Sequence, residues 1–197
     1  MNELENKIVL IVGLGMIGGS VARGLRKASA ERCILACDRD TAAIEQAIED
    51  GVVTKGGELS ELCPQADIII LAVPPLTVCK ILPDILALMN PSALITDVAS
   101  VKSHIFSDNA QFSEASLANF VPAHPIAGSE QSGYVAAVDN LFENRNVILT
   151  PHSANSTKSV ALVNSLSREL GANVLGMTRV RHDEVLAATS HLPHLLA

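Results

Sequence analysis

The chain has 197 residues, of which 48% are hydrophobic and only 3% aromatic, with no Trp, so its apolar mass is Ala, Val, Ile and Leu and is large enough for a buried core. A formal net charge of −7 and a pI near 5.3, with no Lys/Arg run, argue against nucleic acid or an anionic membrane as the main partner. No apolar run reaches the roughly 20 residues of a bilayer span, and Met1-Asn2-Glu3-Leu4-Glu5 lacks the basic-then-apolar order of a signal peptide, so a cytosolic protein is expected.

In chain order, Lys7 to Gly13 (KIVLIVG) is a continuous apolar run closed by glycine, the mark of a fully buried strand. A helix follows from Met16 to Ala28, with Ile17, Val21 and Leu25 on one face. Cys33 to Cys37 is a second strand, and Asp40 or Thr41 caps a helix carrying Ile44 and Ile48 that stops near Gly51. Asp67 to Val73 (DIIILAV) is the most strand-like stretch and ends at Pro74-Pro75. A helix is expected from Leu76 to Met89, a strand from Ala93 to Asp97, and a helix from Lys102 to Ala110. Phe120-Val121-Pro122 and Asn146 to Thr150 read as short strands, Ser156 to Leu170 as a helix, Asn173 to Leu175 as a last strand, and the chain turns helical again from Thr178. Short strands alternating with helices predict an α/β fold: a doubly wound, mostly parallel sheet with helices on both faces.

Gly13-Leu14-Gly15-Met16-Ile17-Gly18 spells G-x-G-x-x-G where a buried strand meets an amphipathic helix, the context a dinucleotide fingerprint requires. Gly13 allows the tight turn, Gly15 makes room for a pyrophosphate, and Gly18 lets the helix lie close to the strand. The N–H groups at the helix start, around Met16 and Ile17, face the phosphates. Asp38 ends the second strand twenty positions beyond Gly18, where a carboxylate accepts hydrogen bonds from ribose hydroxyls and repels a 2′-phosphate, favouring NAD over NADP. The neighbouring Arg39 keeps NADP possible, and Asp38 could also be a solvated turn residue. Val73 and Pro74, at the carboxyl end of the third strong strand, either form a wall along the nicotinamide ribose or simply terminate the strand. The domain reads as Rossmann-type over residues 1–177, with 178–197 starting a helical domain that this sequence truncates.

Two segments could carry chemistry. Thr96 to Ser103 (TDVASVKS) lies at a strand's carboxyl end, and Pro122 to Gly133 (PAHPIAGSEQSG) sets His124 between prolines on a stiff backbone. His124 follows a predicted strand on the ligand-binding rim, where an imidazole can take the proton that an alcohol oxidation releases. Ser100 could orient that base or bind the substrate hydroxyl; it could equally cap the helix after it. Cys33, Cys37, Cys63 and Cys79 form no CxxC pair and no zinc spacing, so free thiols and no metal are expected.

GLGMIGGS, LAVPP, TDVASVKS and AHPIAGSEQSG occur in that order, followed by His182-Asp183-Glu184 and Ser190-His191-Leu192-Pro193-His194. From about Lys7 to its last residue the chain resembles the prephenate/arogenate dehydrogenase family. The resemblance implies NAD-dependent oxidative decarboxylation of prephenate to 4-hydroxyphenylpyruvate, or of arogenate to tyrosine, in aromatic amino-acid synthesis. The ring C4 hydroxyl loses its proton, C4 passes hydride to nicotinamide, and the ring carboxylate leaves as carbon dioxide. It further implies that His124 contacts the ring hydroxyl, that Ser100 supports it, and that Ser129, Glu130, His191 and His194 contact substrate, with Glu130 as a polar or gating residue. Family members continue into a helical domain that makes a homodimer and supplies an arginine for the substrate carboxylate. The apolar ending Leu195-Leu196-Ala197 suggests a cut edge. The expectation is a chain that binds NAD and turns over substrate poorly. A β-hydroxyacid-type dehydrogenase is the rival enzyme reading, although no segment matches its catalytic lysine. A non-catalytic NAD(H)-sensing module is the rival from another class.

Overall fold

Val9 to Val12 forms β1, and all four of its residues are buried. Val9 and Ile11 point to one face of a sheet and Leu10 and Val12 to the other, each face joining its own apolar cluster. This is why the sequence reads as a continuous apolar run: both faces must be covered. The computed structural model describes residues 3–108, 117–128 and 130–187.

The chain continues through α1 (Met16–Ala28), β2 (Ile34–Cys37), α2 (Thr41–Glu49), β3 (Lys55–Gly56), α3 (Leu59–Leu62), a 3-10 turn over Cys63–Gln65, and β4 (Ile68–Leu71). Then come α4 (Pro75–Leu88), β5 (Leu94–Asp97), α5 (Ser103–Asp108), β6 (Ala123–Pro125), a 3-10 turn over Tyr134–Ala136, β7 (Asn146–Leu149), α6 (Thr157–Glu169), β8 (Asn173–Gly176) and α7 (Arg179–Leu186). The first sheet has the order β3-β2-β1-β4-β5, parallel throughout, so the connections reverse direction between β1 and β4. Open α/β sheets bind ligands at such a switch point, beyond the strands' carboxyl ends. Helices α1, α2 and α6 bury Val21, Leu25, Ile44, Val163 and Leu166 on one face. Leu62, Val78, Leu82 and Ile85 from α3 and α4 cover the other. The expected doubly wound α/β architecture is present.

A second sheet, β6-β7-β8, extends the first; β6 runs antiparallel to β7, and β7 parallel to β8. The two sheets are joined by the segment before β6. Ile95 and Phe120 form a parallel bridge, in which the Ile95 N–H donates to Asn119 and the Val121 N–H to Ile95. The strand expected at Phe120-Val121-Pro122 is therefore displaced to Ala123–Pro125, and His124 lies within it rather than after it. Pro122 has no N–H to continue the ladder toward β5. The next residue, Ala123, pairs instead with side chains: its N–H donates to Asp97 Oδ1 (3.1 Å) and its carbonyl accepts from Lys102 Nζ (2.6 Å).

Other boundaries differ by one or two residues, and β3, α3 and both 3-10 turns were not expected. The helix expected to Ala110 is described as α5 to Asp108, and the rest of it lies outside the described residues. The helix expected from Thr178 is α7, with the Thr178 side chain as its N-cap. Among the described residues no helix is long and apolar enough to cross a membrane.

Candidate active site

The loop between β1 and α1 is held by two contacts that exclude side chains. Gly13 has φ +99°, and a Cβ there would lie 2.5 Å from the Ala72 carbonyl oxygen. A Cβ on Gly18 would lie 1.9 Å from the Gly13 carbonyl oxygen, so α1 crosses the loop backbone as closely as it can. Gly15 is different: nothing lies within 4 Å of a Cβ built on it. The fold itself does not need a glycine there, whereas a pyrophosphate approaching the loop would. Gly15 is the N-cap of α1 and supplies no side-chain cap, and no acidic residue stands in the first turn. The N–H groups of that turn therefore suit an anion.

Asp38, half-buried just past β2, accepts from the Leu14 N–H at 2.5 Å and from the Asp40 N–H at 2.8 Å. This anchors a carboxylate at the edge of the glycine loop, more than a solvated turn residue requires, and each oxygen keeps a second lone pair for a hydroxyl donor. Arg39 is exposed beside it. The glycine loop, Asp38 and the wall formed by Val73 and Pro74 thus fit a dinucleotide.

A cleft of about 430 Å³ opens above the loop. Gly15, Met16, Ile17, Val73 and Pro74 line it on the loop side, and Ser100 and His124 line it on the other. Gly13 and Gly18 are buried beneath it. Ser100 is exposed and lies three residues ahead of α5. It does not cap that helix, because the N–H groups of Lys102 and Ser103 are taken by Asp183. Glu130 is exposed, and its neighbours Gln131 and Ser132 line the cleft instead. Ser129, His191 and His194 lie outside the described residues.

Behind His124 lies an arrangement that the sequence reading did not assign. His124 Nδ1 is 2.8 Å from Nε2 of His182, which comes from α7 and is fully buried, and the rings meet edge to face. His182 Nδ1 is 2.7 Å from Asp183 Oδ1. Asp183 also accepts from the Lys102 N–H at 3.0 Å and the Ser103 N–H at 2.8 Å, so a residue of α7 caps α5. The His182-Asp183-Glu184 string was the available signal, but it carries no spacing that announces a role.

Partial burial pushes the Asp183 carboxyl up. The Ser103 N–H, the His182 ring, the Ser103 side chain and the Lys102 N–H together outweigh that and hold it down to about 2. Its folded pKa thus lies below the unfolded value, so the stabilisation is full above about pH 4 and is lost as pH falls towards 2. Acid titration of stability should show Asp183→Asn less stable than wild type at pH 7, with the gap closing between about pH 4 and pH 2. A gap that stays constant through that window would contradict the assignment.

Asp97 and Lys102 form a second buried unit, both with no exposed surface, with Lys102 Nζ 2.5 Å from Asp97 Oδ2. Burial pushes the lysine pKa down, against the pull of Asp97 and Asp183. The pair fixes β5 to β6 and so sets the position of His124. The four cysteines form no disulfide, and burial pushes the Cys63 thiol up to about 11 and the Cys37 thiol upward, so neither of these two is an activated nucleophile.

Residues 21–176 match the family model described as prephenate dehydrogenase, nucleotide-binding domain. The prephenate dehydrogenase of Lactococcus lactis is 38% identical over 193 residues, covering 97% of this chain and 52% of that protein. The structure of Aquifex aeolicus prephenate dehydrogenase in complex with hydroxyphenyl propionate and NAD+ superposes with a TM-score of 0.90 at 34% identity, covering 98% of this chain and 68% of that one. Synechocystis arogenate dehydrogenase superposes with a TM-score of 0.85 at 33% identity, covering 94% and 64%. The chain spans about half the length of the curated prephenate dehydrogenases of Lactococcus lactis and Bacillus subtilis that it matches. With a family model matched over most of its length, and the glycine loop and His124 on one cleft, the chain belongs to the prephenate dehydrogenase family and carries its nucleotide-binding domain.

Proposed function

We propose that this chain is the NAD-binding half of an enzyme that oxidatively decarboxylates prephenate or arogenate, with His124 as the base. The observation that carries the reading is the single cleft lined by both the glycine loop and His124, with Ser100 at its rim. Bound NAD would supply the acceptor for the hydride leaving ring C4. The loop and the N-terminus of α1 would hold its pyrophosphate, and Asp38 would take its ribose hydroxyls. His124 accepts the C4 hydroxyl proton as hydride departs, while Ser100 hydrogen-bonds the same hydroxyl. As the ring carboxylate leaves as carbon dioxide, its bonding pair enters the ring, and the proton held on His124 returns to the oxygen to give the phenol. Aromatisation drives the step, so the protein's work is orientation and one proton.

Glu130 and, outside the described residues, Ser129, His191 and His194 are carried in this reading as substrate contacts. The same reading takes the enzyme as a cytosolic homodimer whose helical domain begins near Thr178.

Calorimetric titration with NAD, NADP and then prephenate tests the cofactor half. The expected result is NAD binding with NADP weaker by about tenfold or more; equal affinity would remove Asp38 from its role. In the full-length enzyme, His124→Asn should lower kcat by about 10²–10⁴-fold with little change in affinity for NAD. Turnover within a few fold of wild type would overturn the assignment of the base.

A further inference from the structure

We propose that His182 and Asp183 are positioning residues that lock the His124 imidazole in the tautomer with its proton on Nδ1, leaving Nε2 as the proton-accepting atom. The inference rests on the reading of His124 as the base. It follows from the direction in which each hydrogen bond must run. Asp183, already accepting two backbone N–H groups, is an acceptor toward His182, so His182 Nδ1 bears the hydrogen. A neutral His182 with hydrogen on Nδ1 has a lone pair on Nε2. His124 Nδ1, 2.8 Å away, must then be the donor. A neutral His124 with hydrogen on Nδ1 has its basic lone pair on Nε2. Three residues in sequence, carboxylate to imidazole to imidazole, thus specify which nitrogen can take the substrate proton.

The arrangement also favours the charged form that catalysis produces. Once Nε2 has taken the proton, the imidazolium still donates through Nδ1 to His182, and the Asp183 anion stands behind that ring. Burial of His182 and the near-complete burial of His124 keep these interactions out of water. Asp97 and Lys102, also buried nearby, form an ion pair with each other, and Asp183 is the carboxylate hydrogen-bonded to the His182 ring. The Asp183 carboxylate is itself fixed by capping α5, so the lock is built on backbone as well as on side chains.

Nitrogen-15 NMR of the imidazole rings tests this in the 197-residue chain without substrate or turnover. At a pH where both rings are neutral, His124 should show hydrogen on Nδ1 and none on Nε2, the minor tautomer of a free histidine side chain. His182→Phe should return His124 to the Nε2–H form, and His182→Gln, whose carbonyl can accept from Nδ1, should restore the lock. Wild-type His124 with hydrogen on Nε2 would overturn the proposal, and this measurement needs no variant to fold. Asp183→Asn, which keeps an oxygen for the α5 cap, removes the anion behind the His182 ring.

In the full-length enzyme the same substitution should move the acid limb of the kcat profile to lower pH. His182→Phe should lower kcat by roughly a hundredfold with the KM for NAD unchanged. A merely structural pair would move melting temperature and cofactor affinity but not the acid limb or the tautomer. A locked tautomer together with full turnover in His124→Asn would overturn the base assignment and leave the lock standing, so the two failures are distinguishable.

Discussion

Lys102→Met is expected to lower the unfolding free energy by about 3–5 kcal/mol, because it leaves the Asp97 carboxylate buried without its cation. Neither side chain has exposed surface, so no water replaces the lost partner. Asp97 would keep only the N–H groups of Ala99 and Ala123, both at 3.1 Å. The Ala123 carbonyl would lose its donor as well, and with it the side-chain bond that stands in for a ladder between β5 and β6. For a chain of this size the loss corresponds to a fall in melting temperature of roughly 10 °C. The double variant Asp97→Asn/Lys102→Met should be more stable than Lys102→Met alone, since removing both charges is cheaper than removing one. Thermal unfolding of wild type and the two variants reads all of this. A Lys102→Met melting temperature within about 2 °C of wild type would show that the pair does not hold the strands together.

The second large effect separates two glycines of one motif. Gly15→Ala should leave the melting temperature within a few degrees of wild type and weaken NAD binding by about 1–3 kcal/mol, a five- to hundredfold loss. Gly18→Ala should unfold more readily by about 2 kcal/mol or more, whatever the ligand. The distinction is geometric. The built Cβ at Gly15 meets nothing within 4 Å, whereas at Gly18 it meets the Gly13 backbone at 1.9 Å, an atom that cannot move aside as a side-chain end could. Gly15 has φ −69° and ψ −168°, which alanine adopts without strain. Calorimetric affinity beside a thermal melt decides the matter. If Gly15→Ala binds NAD as well as wild type, the loop does not cradle a pyrophosphate.

The elements legible in the sequence were those whose burial leaves a long, one-sided or two-sided apolar pattern. β1 and β4 are apolar on both faces, and α1 repeats its apolar residues every turn, so their type and approximate bounds follow from residue order alone. The glycine loop was legible for the same local reason: strand, turn and helix start are contiguous. Two-residue β3 and four-residue α3 carry too few residues for a period to show. Gly56, in β3, is required only because Ile44 from α2 packs within 2.1 Å of where its Cβ would be.

The site divides along the same line. His124 and Ser100 could be picked out from their segments, since each lies near a strand's carboxyl end. Whether they share a cleft with the glycine loop depends on how residues far apart in the chain are brought together by the sheet order. The displacement of β6 by three residues arose because Pro122 interrupts the ladder and Asp97 and Lys102 take over its hydrogen bonds. The hydrogen bond between His124 and His182 spans 58 positions. No periodicity or local motif encodes such a pair; it exists because α7 packs against α5 and buries His182 behind the strand that carries His124. Local hydrogen-bonding and burial patterns are written into neighbouring residues, but the direction of a proton's path is set by contacts that only the folded chain makes.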